Sequence, residues 1–494
     1  MPKDITFNIP KEVEKIINIL QKAGYEAYVV GGCVRDLFRG TKPNDWDIAT
    51  SAKPEEITTL FKKSFLDNKF GTVSVLTGST CPELKEVEIT PYRIDGEYSD
   101  KRHPDKVKWA KTIEEDLSRR DFTINAVALK VENRKFSIID PFEGRNDIER
   151  KIIKAVGCPQ KRFSEDALRM MRAIRFSVVL GRGWQIEEGT FEAIKENASL
   201  LQAISKERIR DELLKIIMCP KGARGIEILR RAGLLKYIIP ELEEGFGVSQ
   251  NKHHIYQIYQ HNLLSLNYAC EQGFSKEVRL AALLHDIAKP ATKRGEGPDS
   301  TFYNHEIVGA KITERIMMRL KFSKKEIDKV VRLVKHHLFY YNVGEVGESS
   351  VRRLLRKIGK ENIEELLRVR YCDRIGSGVP KAEPYKLRHL KYVVEKVSRD
   401  PISVKMLKVN GNDVMEILKI QPGPKIGKIL TCLLGEVLEN PQKNNRTFLK
   451  EEIIRLGQKM SEDELNRTFN RTKEKINRTE QKKDEMTKKK YWID

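Results

Sequence analysis

At 494 residues the chain is too long for one hydrophobic core, so several domains are expected. Hydrophobic residues make up 39% and charged residues 33%, and Lys plus Arg outnumber Asp plus Glu by 92 to 71, a formal charge of +21. This excludes a membrane-embedded chain and points to a polyanionic partner, nucleic acid first, with ordinary solubility charge as the plain alternative.

Seven scattered cysteines without a CxxC pair indicate free thiols in a reducing compartment. The start, MPKDITFNIPKEVEKI, lacks the apolar core of a signal peptide, so a cytoplasmic protein is expected. Residues 11–23 (KEVEKIINILQKA) have helical periodicity, and Gly24 is placed to end the helix. YEAYVVGGCVRD follows: a short β-rich run, two glycines and a polar helix start. Further strand-like runs are WDIAT (46–50), TVSVLT (72–77), VEIT (87–90) and FSIIDP (136–141).

Beyond residue 150 the pattern becomes helical, at 164–180, 191–199, 205–218, 223–235, 261–272, 277–288, 305–320, 324–338, 349–357 and 361–371. No strand is expected there, and no internal repeat stands out. Residues 461–494 are polar and rich in Lys and Arg; a solvated helix or disordered tail is the plain reading, an RNA-grasping extension the sharper one.

The first chemical constellation is in the head. Gly31 and Gly32 let a backbone approach a phosphate closely, and a helix N-terminus offers free N–H groups to an anion. Asp45 and Asp47, two apart on an expected strand, would project from one face. Two carboxylates so close repel unless cations lie between them, and Mg²⁺ prefers oxygen ligands. A two-metal site activates an attacking hydroxyl and steadies a leaving pyrophosphate. Glu88 is a possible third carboxylate, with alternating charge on an exposed strand face as its plain reading. A lone D-x-D is weak evidence.

GGCVRD (31–36) followed by DWD (45–47) resembles the polymerase-β-like nucleotidyltransferases, and more specifically the bacterial tRNA nucleotidyltransferase and poly(A) polymerase family of class II. FGTVSV (70–75), RRDFTINA (119–126), DPFEG (140–144), EDALRMMRAIRF (165–176) and ISKERIRDEL (204–213) match that family's further motifs in order. The resemblance implies an α+β fold: a catalytic head with a small mixed sheet at 1–150, then an all-α neck at 151–245 that binds RNA and nucleotide. It implies Asp45 and Asp47 as catalytic Mg²⁺ ligands. Gly32, Arg35, Arg120, Asp121, Asn125, Asp166, Arg169, Arg172 and Arg175 are then nucleotide-binding, Arg172 steadying phosphate or the helix itself.

Asp166, Arg169 and Arg172 share one face if they lie on one helix. The plain reading is an intrahelical ion pair, for which Glu165 with Arg169 is well spaced. A carboxylate only accepts and a guanidinium only donates, so Asp166 with Arg169 complements the amine-plus-acceptor edge of cytosine and adenine and rejects uracil and guanine. The family resemblance implies that this pair serves as a protein template. TPYRIDGEYSDKRHP (90–104) looks like the family's flexible loop, with Lys101 where a glycine is expected.

Seven of the nine histidines fall between residues 253 and 337. Imidazoles and carboxylates bind divalent metals. The order His261, His285-Asp286, Asp373 resembles the HD phosphohydrolases, which implies those four as first-metal ligands, with His305 and His337 at the extra positions and an HD domain at 246–400. Action on 2′,3′-cyclic phosphates or 2′-nucleotides is a further expectation. KVNGNDVMEILKIQPGPKIGKIL (408–430) resembles the family's tail segment, giving a tail domain at 401–460 and an extension at 461–494.

The function expected is template-independent transfer of CMP and AMP from CTP and ATP to the 3′ end of tRNA. The partners are tRNA, CTP and ATP, with no membrane. Mg²⁺ serves the head, and a divalent metal the HD region. The alternatives are a poly(A) polymerase, an enzyme adding only A or only CC, or an HD phosphohydrolase acting on RNA 3′ ends.

Overall fold

Helix α1 (Lys11–Lys22) forms because Val13, Ile16, Ile17 and Leu20 recur at helical spacing and bury one side. Strand β1 (Ala27–Val30), helix α2 (Gly32–Phe38), strand β2 (Asp47–Thr50) and helix α3 (Pro54–Leu60) come next. Strands β3 (Ser64–Leu66), β4 (Val73–Leu76) and β5 (Glu86–Pro91) follow, then a hairpin of β6 (Arg93–Asp95) and β7 (Val107–Trp109). Helix α4 (Ile113–Ser118), strands β8 (Ala128–Glu132) and β9 (Lys135–Ile139) and helix α5 (Gly144–Arg150) complete the head. These ranges belong to a computed structural model that describes residues 7–66, 71–96, 107–132, 135–251, 255–398 and 403–493. Phe70, residues 97–104 of the expected flexible loop, His253 and His254 lie outside them.

The main sheet has the order β3–β4–β5–β2–β1–β8–β9. It is mixed, because β2 and β5 run parallel while the other pairs are antiparallel. Val29, Ile48, Val73, Ile89 and Leu129 pack with α1 on one face. Tyr28, Val30, Ala49 and Tyr92 pack with Ile113 and Leu117 of α4 on the other. Strand β1 is therefore buried at every position, as a strand covered on both faces must be.

The neck begins with strand β10 (Ile152–Ile153), helix α6 (Pro159–Glu165) and helix α7 (Leu168–Val179). Strand β11 (Gln185–Ile186), helix α8 (Glu188–Asn197) and helix α9 (Lys206–Ile217) follow. Two of these elements correct the sequence reading. Strands β10 and β11 pair in parallel where none was expected beyond residue 150; two residues each are too few to show a period. The helix expected over 164–180 is two helices, broken at Asp166, whose φ of −137° and ψ of 102° are extended.

Contacts divide the chain into two units, Met1–Leu338 with Arg368–Ala382, and Phe339–Leu367 with Glu383–Asp494. In the first, the neck leads into helices Ile258–Glu271, Lys276–Leu284, His305–Arg319 and Lys324–His336. The second builds its core from Leu407, Val414, Ile429, Leu433, Leu449, Ile453 and Leu465. The polar residues after 461 form a 30-residue helix, Glu462–Tyr491. No helix among the described residues is long and apolar enough to cross a membrane.

Candidate active site and histidine cluster

The carboxylates of the head meet where β2 and β5 begin. Asp47 opens β2, and its Cα partner across the parallel pair is Glu88. Paired positions of a sheet share a face, so both side chains leave it on the side of Val30 and Ala49. Asp45 corrects the expectation: it lies in the bend before β2, not on the strand with Asp47. It still faces the same cleft of about 610 Å³. Burial, with the charges of Asp45 and Glu88 added, pushes the Asp47 carboxyl up to about 7 against the pull of Arg120. Three oxygen-ligand carboxylates repelling one another in this way fit a hard divalent cation such as Mg²⁺.

Gly31 is required here by contact as well as by conformation. Its φ is +80°, and an added Cβ would lie 3.0 Å from Asp47 Oδ2 and 3.2 Å from Arg120 Nη1. The close approach that Gly31 permits is thus to a carboxylate. Gly32 starts α2 and lines the cleft.

Eight arginines and five carboxylates line the cleft. Many of those arginines are oriented by an acidic partner. Asp116, 1% exposed, holds Arg119 at 2.6 Å and Arg120 at 3.1 Å. Asp121 Oδ2 accepts from Arg172 Nε at 2.8 Å, while its Oδ1 accepts from Asn125 Nδ2 at 3.1 Å. Arg35 donates to Asn125 Oδ1 at 2.9 Å. Arg175 pairs with Glu212 at 3.0 Å. Burial raises the Asp121 carboxyl, but Arg172, Arg169 and the Asn125 hydrogen bond outweigh it and hold it at about 2. Arg172 therefore anchors Asp121. The guanidinium groups of Arg35, Arg172 and Arg175 gather 5.4, 5.5 and 4.5 Å from the ring of Phe176.

The break between α6 and α7 takes Asp166 off the helical face of Arg169 and Arg172, a further correction. Asp166 Oδ1 accepts from the Leu168 backbone N–H at 3.0 Å and so caps α7. Arg208 of α9 grips the same carboxylate, at 3.3 Å to Oδ1 and 2.8 Å to Oδ2. The ion pair expected between Glu165 and Arg169 is present at 2.8 Å, and Arg169 also donates to the Arg119 carbonyl at 3.1 Å. Asp166 and Arg169 line the cleft together. Asp116, Phe176, Arg208 and Glu212 were missed from sequence; only Asp116, three and four positions before the two arginines, left a local signal.

The histidines converge in the first unit. His261 lies on Ile258–Glu271, and His285 and Asp286 follow the end of Lys276–Leu284, in a turn and not on one helix as expected. His305 begins His305–Arg319, His337 caps Lys324–His336, and Asp373 lies on Ile363–Gly376. His261 and His285 stand 3.1 and 3.4 Å from Asp286 Oδ2, and 3.5 and 3.7 Å from Asp373 Oδ1. His305 and His337 stand 3.2 and 3.7 Å from Asp286 Oδ1.

Asp286 thus lies between two ligand groups, one on each oxygen. The Nδ1 atoms of His285, His305 and His337 lie 2.9, 2.6 and 2.7 Å from backbone carbonyls. In the tautomer that donates from Nδ1 there, Nε2 is left for a metal, and the Nε2 atoms of His261 and His285 lie 2.9 Å apart. Lys289, which the sequence reading did not single out, meets Asp286 Oδ2 at 2.7 Å.

Three family models match the chain: the poly(A) polymerase head domain over residues 27–154, the RNA- and SrmB-binding site of polymerase A over 183–246, and tRNA nucleotidyltransferase domain 2 over 302–453. The CCA-adding enzyme of Ligilactobacillus salivarius is 34% identical over 460 residues, 92% of this chain and 98% of that one. The CCA-adding enzyme of Geobacillus kaustophilus is 46% identical over 224 residues, 45% of this chain and 53% of that one. Among solved structures, the Bacillus stearothermophilus CCA-adding enzyme in complex with CTP aligns at a TM-score of 0.57 and 28% identity, covering 90% of this chain and 98% of that one.

Proposed function

This chain belongs to the family of CCA-adding enzymes, and we propose that it transfers CMP and AMP from CTP and ATP to the 3′ end of tRNA through the cleft of the head. The observation that carries this reading is the single cleft in which Asp45, Asp47 and Glu88 face Asp166 and Arg169.

Asp45 and Asp47, with Glu88 beside them, would hold Mg²⁺, which supplies acidity toward the RNA 3′-hydroxyl and charge neutralisation for departing pyrophosphate. Arg35 and Arg120 line the cleft with their guanidinium groups already fixed, so little reorganisation is left for the triphosphate to cause. Asn125 and Asp121 tie Arg35 and Arg172 into that frame.

Asp166 selects the base by accepting its exocyclic amine. A carboxylate offers about four acceptor sites. Arg208 takes two and the Leu168 N–H one, which leaves one for the amine of cytosine or adenine. Arg169 retains two N–H groups beyond those given to Glu165, Arg119 and Arg162, and these meet the ring-nitrogen acceptor. Uracil and guanine would set acceptor against acceptor and donor against donor.

Asp47→Ala is expected to lower incorporation of CMP at least about a thousandfold, as loss of a metal-binding carboxylate should, with tRNA affinity kept. Turnover within tenfold of wild type in a primer-extension assay sinks the assignment.

The histidine cluster supports a second activity. His261, His285, Asp286 and Asp373, with His305 and His337 on the other side of Asp286, would hold divalent metal, which would supply Lewis acidity and an activated water in an HD-type phosphohydrolase site acting on 2′,3′-cyclic phosphates. Elemental analysis of purified protein is expected to find divalent metal at roughly two equivalents per chain, lost in Asp286→Ala while CMP incorporation persists. A wild-type protein free of bound metal after growth in supplemented medium, and without cyclic-phosphate hydrolysis, contradicts it.

A further inference from the structure

The helix Glu462–Tyr491 lies past the last family-model match, which ends at residue 453. One side of it is fastened to its own unit. Leu465 is buried, and Phe469 and Ile476 pack on the core of that unit. Farther along, Thr487 is buried and Asp484 accepts from the Tyr392 hydroxyl at 2.8 Å. Lys490 pairs with Glu395 at 2.8 Å. The helix is therefore held along most of its length.

The other side carries a row of cations. Asn-Arg-Thr recurs at 466–468, 470–472 and 477–479, a short repetition that the domain-scale reading passed over. Steps of four and seven residues place Arg467, Arg471 and Arg478 within about 40° of one another on a helix. Lys482 and Lys489 widen the row to about 60° and extend it to roughly 33 Å. All five are exposed. Among the described residues none of their side chains forms a hydrogen bond or an ion pair. Lys475 and Lys490, nearer the flanks, pair with Glu439 and Glu395. Glu464 (which caps the helix start through Ser461), Glu474 and Glu485 share the outer side, so five unpaired cations stand against three carboxylates.

We propose that this row is a rail for the phosphodiester backbone of the tRNA substrate, gripping phosphates without reading bases. It rests on the tRNA reading above. Guanidinium and ammonium groups spaced alternately about one and two helical turns apart can meet a repeating anion, and Arg pairs with phosphate oxygens two at a time. An anionic membrane surface is the poorer fit, because the apolar side that would enter lipid is buried in the protein.

The test uses full-length protein with Arg467, Arg471, Arg478, Lys482 and Lys489 changed to Gln, and labelled tRNA lacking CCA, without nucleotides, across KCl concentrations. The dissociation constant is expected to rise at least about tenfold near 0.1 M salt, and the slope of log affinity on log salt to fall by about 2 or more. The kcat at saturating tRNA should stay unchanged. A second variant, Glu474→Gln with Glu485→Gln, removes the two carboxylates that lie within the row and should tighten binding, so a misfolded first variant does not shelter the idea. Unchanged affinity and slope in both variants overturn it. So does a five-site variant that loses only its binding to phosphatidylglycerol vesicles. Because binding is read without nucleotides, weaker binding by the five-site variant in a protein that adds no CCA would fail the functional reading and leave the rail standing. CCA addition with unaltered tRNA binding would fail the rail alone.

Discussion

At the scale of residues, the cleft is a set of arginines, most of them held by an acid, and sequence order shows only part of that set. Asp45 and Asp47 are legible because two positions separate them. Asp116 with Arg119 and Arg120 is legible as one helical turn. Arg208 on Asp166 and Arg172 on Asp121 join positions 42 and 51 apart, and no local period encodes such pairs. Asp121 gives the sharpest test of this frame. Its folded pKa of about 2 lies below the ordinary 3.8, so its ionised form stabilises the fold. That contribution is fully present above pH 3.8 and is lost as pH falls toward 2. Asp121→Asn should therefore cost about 1–3 kcal/mol near pH 7, the usual toll of stranding a buried charge partner. The gap from wild type should narrow below pH 4 in urea titrations. A gap independent of pH would show that Asp121 does not act through its charge.

At the scale of elements, the broken helix and the glycine turn decide where side chains point. The run EDALRMMRAIRF reads as one helix because nothing in it is a strong breaker; the break comes from Asp166, which caps the second helix with its own side chain while Arg208 holds it from outside. The short strands β3, β6 and β7 escaped notice because three residues show no alternation. The glycine pair was legible as a turn, but its closeness to Asp47 was not, since that contact depends on β1 and β2 pairing. Gly31→Ala places a Cβ at positive φ against Asp47 and Arg120. It is expected to destabilise the protein by about 1–2 kcal/mol and to lower kcat at least tenfold, as small misplacements of reacting groups do. Denaturation and steady-state kinetics check both, and a stable, fully active variant would remove the close contact from the account.

At the scale of the whole molecule, the charge of +21 and the 494 residues were enough to expect several domains and a nucleic-acid partner. The α/β head and the helical remainder were legible because their motifs follow in order and their periods differ. The course of the chain through the two units was not, because residues 368–382 return to the first unit from within the second, and sequence order carries no mark of such a return. The proposed function makes this molecule an enzyme with one cleft that accepts only cytosine and adenine and stops at three additions. It is tested most directly by giving the wild-type protein tRNA that lacks its three terminal nucleotides, with Mg²⁺ and all four nucleoside triphosphates, and sequencing the 3′ ends. The expected product is a single class of ends completed as C, C, A. Long A tails, ends carrying U or G, or tRNA left unextended would contradict the account.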